Sequence, residues 1–245
     1  MGRVGVILAA GLGSRLAGDN KHASKPLTCV GGIPLLRRAV EGMAKAGCAR
    51  VVIVVGHAKN AIAAAFEAQD CGVEIILAEN HRYDLKNGVS VLAARAHIGN
   101  GDFVLAMADH LFCDDVLEIA RNWNPAPGTA ALLVDYKLST IFDMDDATKV
   151  LADGDKILKI GKTISHYDCV DCGIFVCSPA LMDAIEVVYA REGDASLSDG
   201  VQALAALGRM HVVDIGDGFW QDIDTPEMLA HAEKELERRQ LAGLA

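Results

Sequence analysis

Positive charge is scarce in this 245-residue chain: 23 lysines and arginines stand against 33 aspartates and glutamates, a formal net charge of −10. That balance argues against a general nucleic-acid binder and against a protein held on an anionic membrane, because either polyanion would repel it unless a strong basic patch intervened. Long apolar runs are missing too. Stretches such as VVIVV and FVLAM are strand-length, far below the ~20 residues of a membrane helix, so no stable membrane insertion is expected. The N-terminus MGRVGVILAAG carries only a short apolar run broken by glycine and makes a poor signal peptide. No internal repeat, low-complexity tract or linker interrupts the chain, and one domain over residues 1–245 is the expectation. An even cysteine count is also lacking. The seven (29, 48, 71, 113, 169, 172 and 177) sit mostly in apolar contexts, which fits reduced thiols in the cytoplasm.

What is present is an alternation of short apolar runs with amphipathic segments. Val4–Ala9, Val51–Val55, Val73–Leu77 and Phe103–Met107 read as buried strands, being continuous aliphatic runs of strand length. Between the first two, Leu36, Ala39, Val40 and Met43 fall on one helical face and Gly47 is placed to end the helix. Further helices are expected over Ala58–Ala68 and Val89–His97. The order βαβαβαβ predicts the α/β class, a Rossmann-like mixed sheet with helices on both faces.

After Asp109 the pattern changes. Asp115 and Glu118 suggest a capping box, the ADGD segment predicts a hairpin, and strands AALLV, GIFVC and HVVDI surround helices near 179–191 and 197–207. A capped terminal helix, with Glu235 and Arg239 paired at i,i+4, closes the chain.

The chemistry starts in LAAGLGSRL, directly after the first strand, where open α/β sheets bind ligands. Leu8, Ala9, Ala10, Gly11, Gly13 and Ser14 form a small-residue loop whose glycines let the backbone approach a phosphate, with N–H groups forming an anion-binding concavity. A Walker loop would need Gly-Lys-Ser/Thr, and a dinucleotide fingerprint would want a small residue where Leu16 stands. Two cations follow, Arg15 and, ten residues on, Lys25 ahead of Pro26 and Leu27.

This combination resembles the signature of the nucleotidyltransferases that make nucleoside-diphosphate sugars and alcohols. The resemblance implies that fold, a loop wrapped around an NTP triphosphate, and catalytic roles for Arg15 and Lys25 on the charge of departing pyrophosphate. It implies Mg²⁺ held by Asp109 and Asp222, hard oxygen donors at strand ends. Asp224 reads instead as a helix cap, since Asp224-x-x-Glu227 with Pro226 makes a good helix start. By the same resemblance Asn87, Gly88 and Ser90 meet the nucleobase and ribose, Lys162 or Lys149 the acceptor phosphate, and Asp171 the acceptor hydroxyls. Residues 1–110 would then be mainly the NTP-binding half and 111–245 mainly the acceptor-binding half.

The stretches NGxS, MxDH, ATK, IGK, DCVDCGIFV and WxDIDT are most similar to the branch that joins CTP to inositol 1-phosphate. CTP and a small phosphomonoester are thus the expected partners, with no nucleic acid. Another phospho-alcohol, a phosphonate or a sugar 1-phosphate remains open as acceptor, as does a nucleotide-binding regulator without catalysis. Cys169-x-x-Cys172 reads as a pair of structural thiols, because it precedes a strand and no partner pair accompanies it.

Overall fold

Apolar strands from both halves of the sequence meet in one sheet. The computed structural model describes residues 2–11, 25–67 and 70–242, so the expectations for Gly13, Ser14 and Arg15 lie outside the described residues. β1 (Arg3–Ala9) is buried from Val4 to Ala9. Its period-two alternation sends Val4, Val6 and Leu8 into one core and Ile7 and Ala9 into the other, which is why the run is apolar throughout. A small ladder of β2 (Cys29–Val30) and β3 (Ile33–Pro34) leads into α1 (Leu35–Lys45), whose buried face includes the four expected residues. Gly47, with φ +83°, turns the chain into β4 (Cys48–Val55). α2 (Lys59–Phe66) and β5 (Glu74–Glu79) follow.

The third expected helix is two pieces, α3 (Asn87–Ala93) and α4 (Arg95–Ile98). They meet at Ala94, whose N–H bonds back only three residues to Val91 O and tightens the turn. β6 (Phe103–Met107) has the bounds read from the sequence. Next come β7 (His110–Phe112), α5 (Asp114–Asn122), β8 (Ala130–Asp135), and the hairpin of β9 (Lys149–Asp153) with β10 (Lys156–Gly161), turning at Gly154 and Asp155. β11 (Cys169–Cys177), α6 (Ala180–Glu192), α7 (Leu197–Ala205), β12 (Met210–Asp214), β13 (Trp220–Asp222) and α8 (Pro226–Leu241) complete the order.

Among the described residues the main sheet has nine strands in the order β5-β4-β1-β6-β11-β8-β12-β10-β9. β5, β4, β1 and β6 are parallel; β11 runs antiparallel between β6 and β8. One face is covered by α3, α4, α6 and α7, the other by α1, α2 and α5. This is the mixed α/β sheet with helices on both faces. β13 pairs with β7 in a separate ladder that sets Asp222 opposite His110.

Two local expectations fail for one reason. α5 has no capping box: its N-cap is Cys113, and Asp115 instead accepts from Arg239, 3.2 Å away. Arg239 does not pair with Glu235, which takes Arg238 at 2.9 Å. Arg239 is buried, donates also to Asp217 O, and lies over the Phe219 ring. A tertiary partner overrides the i,i+4 rule there. Cys169 and Cys172 are free thiols on opposite faces of the sheet, one in each core, as their odd spacing on a strand dictates.

Candidate active site

A cavity of about 520 Å³ opens beyond the carboxyl ends of β1 and β6. Leu8, Ala9, Ala10 and Gly11 line it, together with Lys25, Asn87, Ser90, Asp109, Asp222, Lys162 and Asp171. Chain segments from residue 8 to residue 224 thus meet in one place. Gly88 and Lys149 are not among the lining residues. Gly88 lies against Ala195 and Ser196, where a Cβ would overlap backbone, so its role is the close approach of α3 to the start of α7. The neighbouring side chains hold α3 on two sides: Asn87 Oδ1 accepts from Leu197 N–H of α7 at 2.9 Å, and Ser90 Oγ accepts from Nδ2 of Asn80, just after β5, at 2.9 Å.

At the centre stands Lys25, in the short helical turn Lys25–Leu27. Its side chain is 10% exposed; Nζ lies 2.5 Å from Asp109 Oδ2 and also contacts Asp224 Oδ1. Burial alone would lower the lysine pKa, but the two carboxylates outweigh it and raise it. For Asp109 burial works upward and is overcome by His110 and Lys25, which hold the carboxyl well below its usual range. His110 Nδ1 sits 2.7 Å from Asp109 Oδ1, and against its own burial the imidazole is raised by Asp109, with Asp222 and Asp171 adding. Asp222 is raised by burial and by Asp224 and Asp109.

Asp224 is not the cap of α8 that the local sequence suggests. Thr225 is the N-cap, its hydroxyl accepting from Met228 N–H at 3.3 Å, and Asp224 turns into the cavity to Lys25.

His110 is held as well as charged. Its ring stacks with Trp220, 5.7 Å away and nearly parallel, and with Phe112 at 6.0 Å. A Cβ at Gly173 would overlap the imidazole, and Gly173 has φ +79°, so glycine is required twice over. Trp220 is pinned in turn by its Nε1–H donating to the buried Asp135 at 3.1 Å. No role for these supporting residues follows from the sequence, although His110, Gly173 and Trp220 fall within the stretches MxDH, DCVDCGIFV and WxDIDT.

Toward the other end, Lys162 pairs with Asp146 at 2.7 Å, and both line the cavity with Thr148. Lys149 points elsewhere: its ammonium is taken by backbone carbonyls. Asp171 accepts from Gly173 N–H at 2.6 Å, yet burial pushes its carboxyl up to about 6. A raised folded-state pKa means that ionised Asp171 opposes folding, an effect absent below about pH 4 and complete above pH 6. The full effect is on the order of 3 kcal/mol. Asp171→Asn keeps an acceptor for Gly173 and is expected to raise the melting temperature by several degrees at pH 8 and by almost nothing at pH 4. An equal shift at both pH values in calorimetry would refute the assignment.

Among the described residues no group of three His, Cys, Asp or Glu side chains makes a metal site by itself, and no helix is long and apolar enough to cross a membrane. With Asp109 and Asp224 both facing the one ammonium of Lys25, and Asp222 in the same lining, the centre of the cavity carries an excess of negative charge. The chain is 33% identical over 238 residues to the bifunctional IPC transferase and DIPP synthase of Rubrobacter xylanophilus, covering 95% of this chain and 52% of that protein. The protein of the same name from Aquifex aeolicus is 29% identical, with 98% and 53% covered. The chain thus spans about half the length of these curated relatives. Among solved structures, the inositol-1-phosphate CTP transferase from T. maritima superimposes with a TM-score of 0.81 at 27% identity, covering 94% of this chain and 96% of that one. Residues 5–145, more than half of the sequence, match the MobA-like NTP transferase domain, and the chain belongs to that family.

Proposed function

We propose that this chain transfers CMP from CTP to inositol 1-phosphate, giving CDP-inositol and pyrophosphate. The observation that carries the reading is the ammonium of Lys25 between Asp109 and Asp224, in a cavity that is lined also by Leu8, Ala9, Ala10 and Gly11 and by Lys162 and Asp171. The names of the similar proteins support the choice of substrates.

In the reaction an oxygen of the acceptor phosphate attacks the α-phosphorus of CTP. The bond from that phosphorus to the bridging oxygen breaks, and pyrophosphate leaves with the electron pair. No protein nucleophile is needed, because a phosphomonoester is already ionised at neutral pH; positioning and charge stabilisation supply the acceleration. Lys25 opposes charge on the leaving group, with Arg15 as its partner in this reading. Asn87 and Ser90 lie at the nucleoside end, Lys162 holds the acceptor phosphate, and Asp171 accepts from ring hydroxyls.

The donor set fits a hard divalent cation such as Mg²⁺, which commonly takes one or two carboxylates and completes its shell with phosphate oxygens and water. Asp109 and Asp222 would hold it, and when bound it would supply further positive charge at the phosphates. A cytoplasmic setting belongs to this proposal and is supported by the seven free thiols.

The test is a matrix of the four NTPs against a panel of phosphomonoesters, with products weighed by mass spectrometry. CTP with inositol 1-phosphate is expected to give the highest kcat/KM, and phosphocholine to be rejected by up to ~10⁴-fold, because a trimethylammonium group has no hydroxyl or N–H with which to pair the buried polar groups of a site built for hydroxyls. Faster turnover of phosphocholine, a phosphonate or a sugar 1-phosphate at equal subsaturating concentration overturns the acceptor. Absence of pyrophosphate release from every pair overturns catalysis and leaves a nucleotide-binding regulator.

A further inference from the structure

Lys149 is buried at the first position of β9, where a cation is not needed for the sheet. Its three N–H donors meet three backbone carbonyls: Met144 O at 2.7 Å, Ala147 O at 3.2 Å and Asp145 O at 3.3 Å. The turn is also tied from within, since Asp146 N–H donates to Asp143 Oδ1 at 3.2 Å and Ala147 N–H to Asp143 O at 3.1 Å. Three carbonyls drawn to one ammonium is an arrangement that this backbone has no reason to adopt unaided. A buried amine with no acceptors would be heavily penalised, so lysine and turn fix each other.

The register of β9 gives the turn its consequence. Lys149 lies opposite Gly161 of β10 on one side and Val170 of β11 on the other, and each of these is followed by a cavity residue, Lys162 and Asp171. The turn reaches both. Asp146 pairs with Lys162 at 2.7 Å, and Thr148 O accepts from Asp171 N–H at 2.9 Å.

We propose that Lys149 is a positioning residue that sets acceptor selectivity: by gathering the carbonyls of the 144–147 turn it fixes Asp146 and Thr148 beside Lys162 and Asp171, where a polyhydroxylated phosphomonoester is read. The proposal rests on the transferase function set out above and deepens it. A phosphate is held by Lys162, and hydroxyls are met by the oxygens of Asp146, Thr148 and Asp171. Letting the turn relax moves half of that set while leaving the nucleotide end, built on β1 and α3, untouched.

Lys149→Met removes the ammonium and keeps the length of the side chain. The expected result is a KM for inositol 1-phosphate raised by about tenfold or more, the scale of displacing binding groups by a fraction of an ångström, with the KM for CTP unchanged within about twofold. The preference for inositol 1-phosphate over glucose 1-phosphate is expected to shrink. Hydrogen exchange at the amides of Asp146 and Ala147 is expected to quicken in the ligand-free protein, a readout independent of turnover. Combining Lys149→Met with Asp146→Asn is expected to add little to either alone, because both act on one turn. Should Lys149→Met fail to fold, Asp143→Ala loosens the same turn from its own residues and is expected to reproduce the split in KM. Parallel changes in both KM values, or unchanged amide exchange, overturn the proposal. Wild-type protein inert toward inositol 1-phosphate overturns the functional reading instead, and the two failures are told apart by that control.

Discussion

Replacing Lys25 with methionine is expected to lower kcat by about 10²-fold or more, the scale for removing one donor aimed at transition-state charge. The fold is expected to persist, because Lys25 belongs to a three-residue turn and not to the sheet. Stability should fall all the same. With the ammonium gone, Asp109 and Asp224 lose a shared, largely buried counter-charge, and stranding buried charge is among the larger single effects, about 3–5 kcal/mol where it is complete. It is incomplete here, since the two carboxylates keep 27% and 16% of their side-chain exposure and Asp109 keeps His110.

The deficit carries a pH signature. Asp109 has a depressed folded-state pKa, so its pairing contributes stability above the unfolded value near 4 and loses it as pH falls below that. Melting curves of Lys25→Met and wild type are therefore expected to differ most at pH 7–8 and to converge toward pH 3. A variant with near-wild-type kcat on CTP, or a melting difference as large at pH 3 as at pH 8, would remove Lys25 from both roles.

What the sequence made legible follows the range over which each signal acts. The unbroken aliphatic run of β1 announces burial on both faces, and β6 has no competing periodicity, so its bounds could be read directly. The turn at Gly154 and Asp155 is local chemistry and was legible for the same reason. Failures occur where a distant residue decides. Asp224 and Thr225 both satisfy local rules for starting α8; Lys25, 199 residues away, takes Asp224 and leaves Thr225 as the cap. Arg239 has Glu235 at helical spacing and chooses Asp115, 124 residues away.

The candidate site divides the same way. Lys25, Asp109, Asp222, Lys162 and Asp171 do line one cavity; strand-end position points at Asp109 and Asp222, and the resemblance alone at the other three. Lys149 and Lys162 look alike in sequence, two lysines in a hairpin region. Only the packed structure separates an ammonium buried among carbonyls from one that faces the cavity. The support behind Asp109 had no sequence signal of its own. His110, Trp220, Asp135 and Gly173 come from β7, β13, β8 and β11, and their joint role exists only once the β7–β13 ladder has formed.

That support makes Asp109→Asn the other severe substitution. The amide keeps the shape but withdraws the charge that Lys25 and His110 both face, and it is a poorer ligand for a hard cation. Turnover is expected to drop by about 10²–10³-fold, the range of other losses of preorganised charge. Raised magnesium should restore part of it, because an amide oxygen still orients bound water. Asp222→Asn is expected to show the same rescue in milder form. The charge wiring can be read without any turnover. In wild type, Asp109 outweighs burial in raising His110; once the carboxylate is neutral, burial is opposed only by the more distant Asp222 and Asp171, so the imidazole must titrate at lower pH. NMR of the His110 ring in ligand-free protein measures that shift directly. An Asp109→Asn protein whose His110 titrates as in wild type would show that the imidazole is set by other groups, and an unchanged magnesium dependence of activity would move the cation away from Asp109.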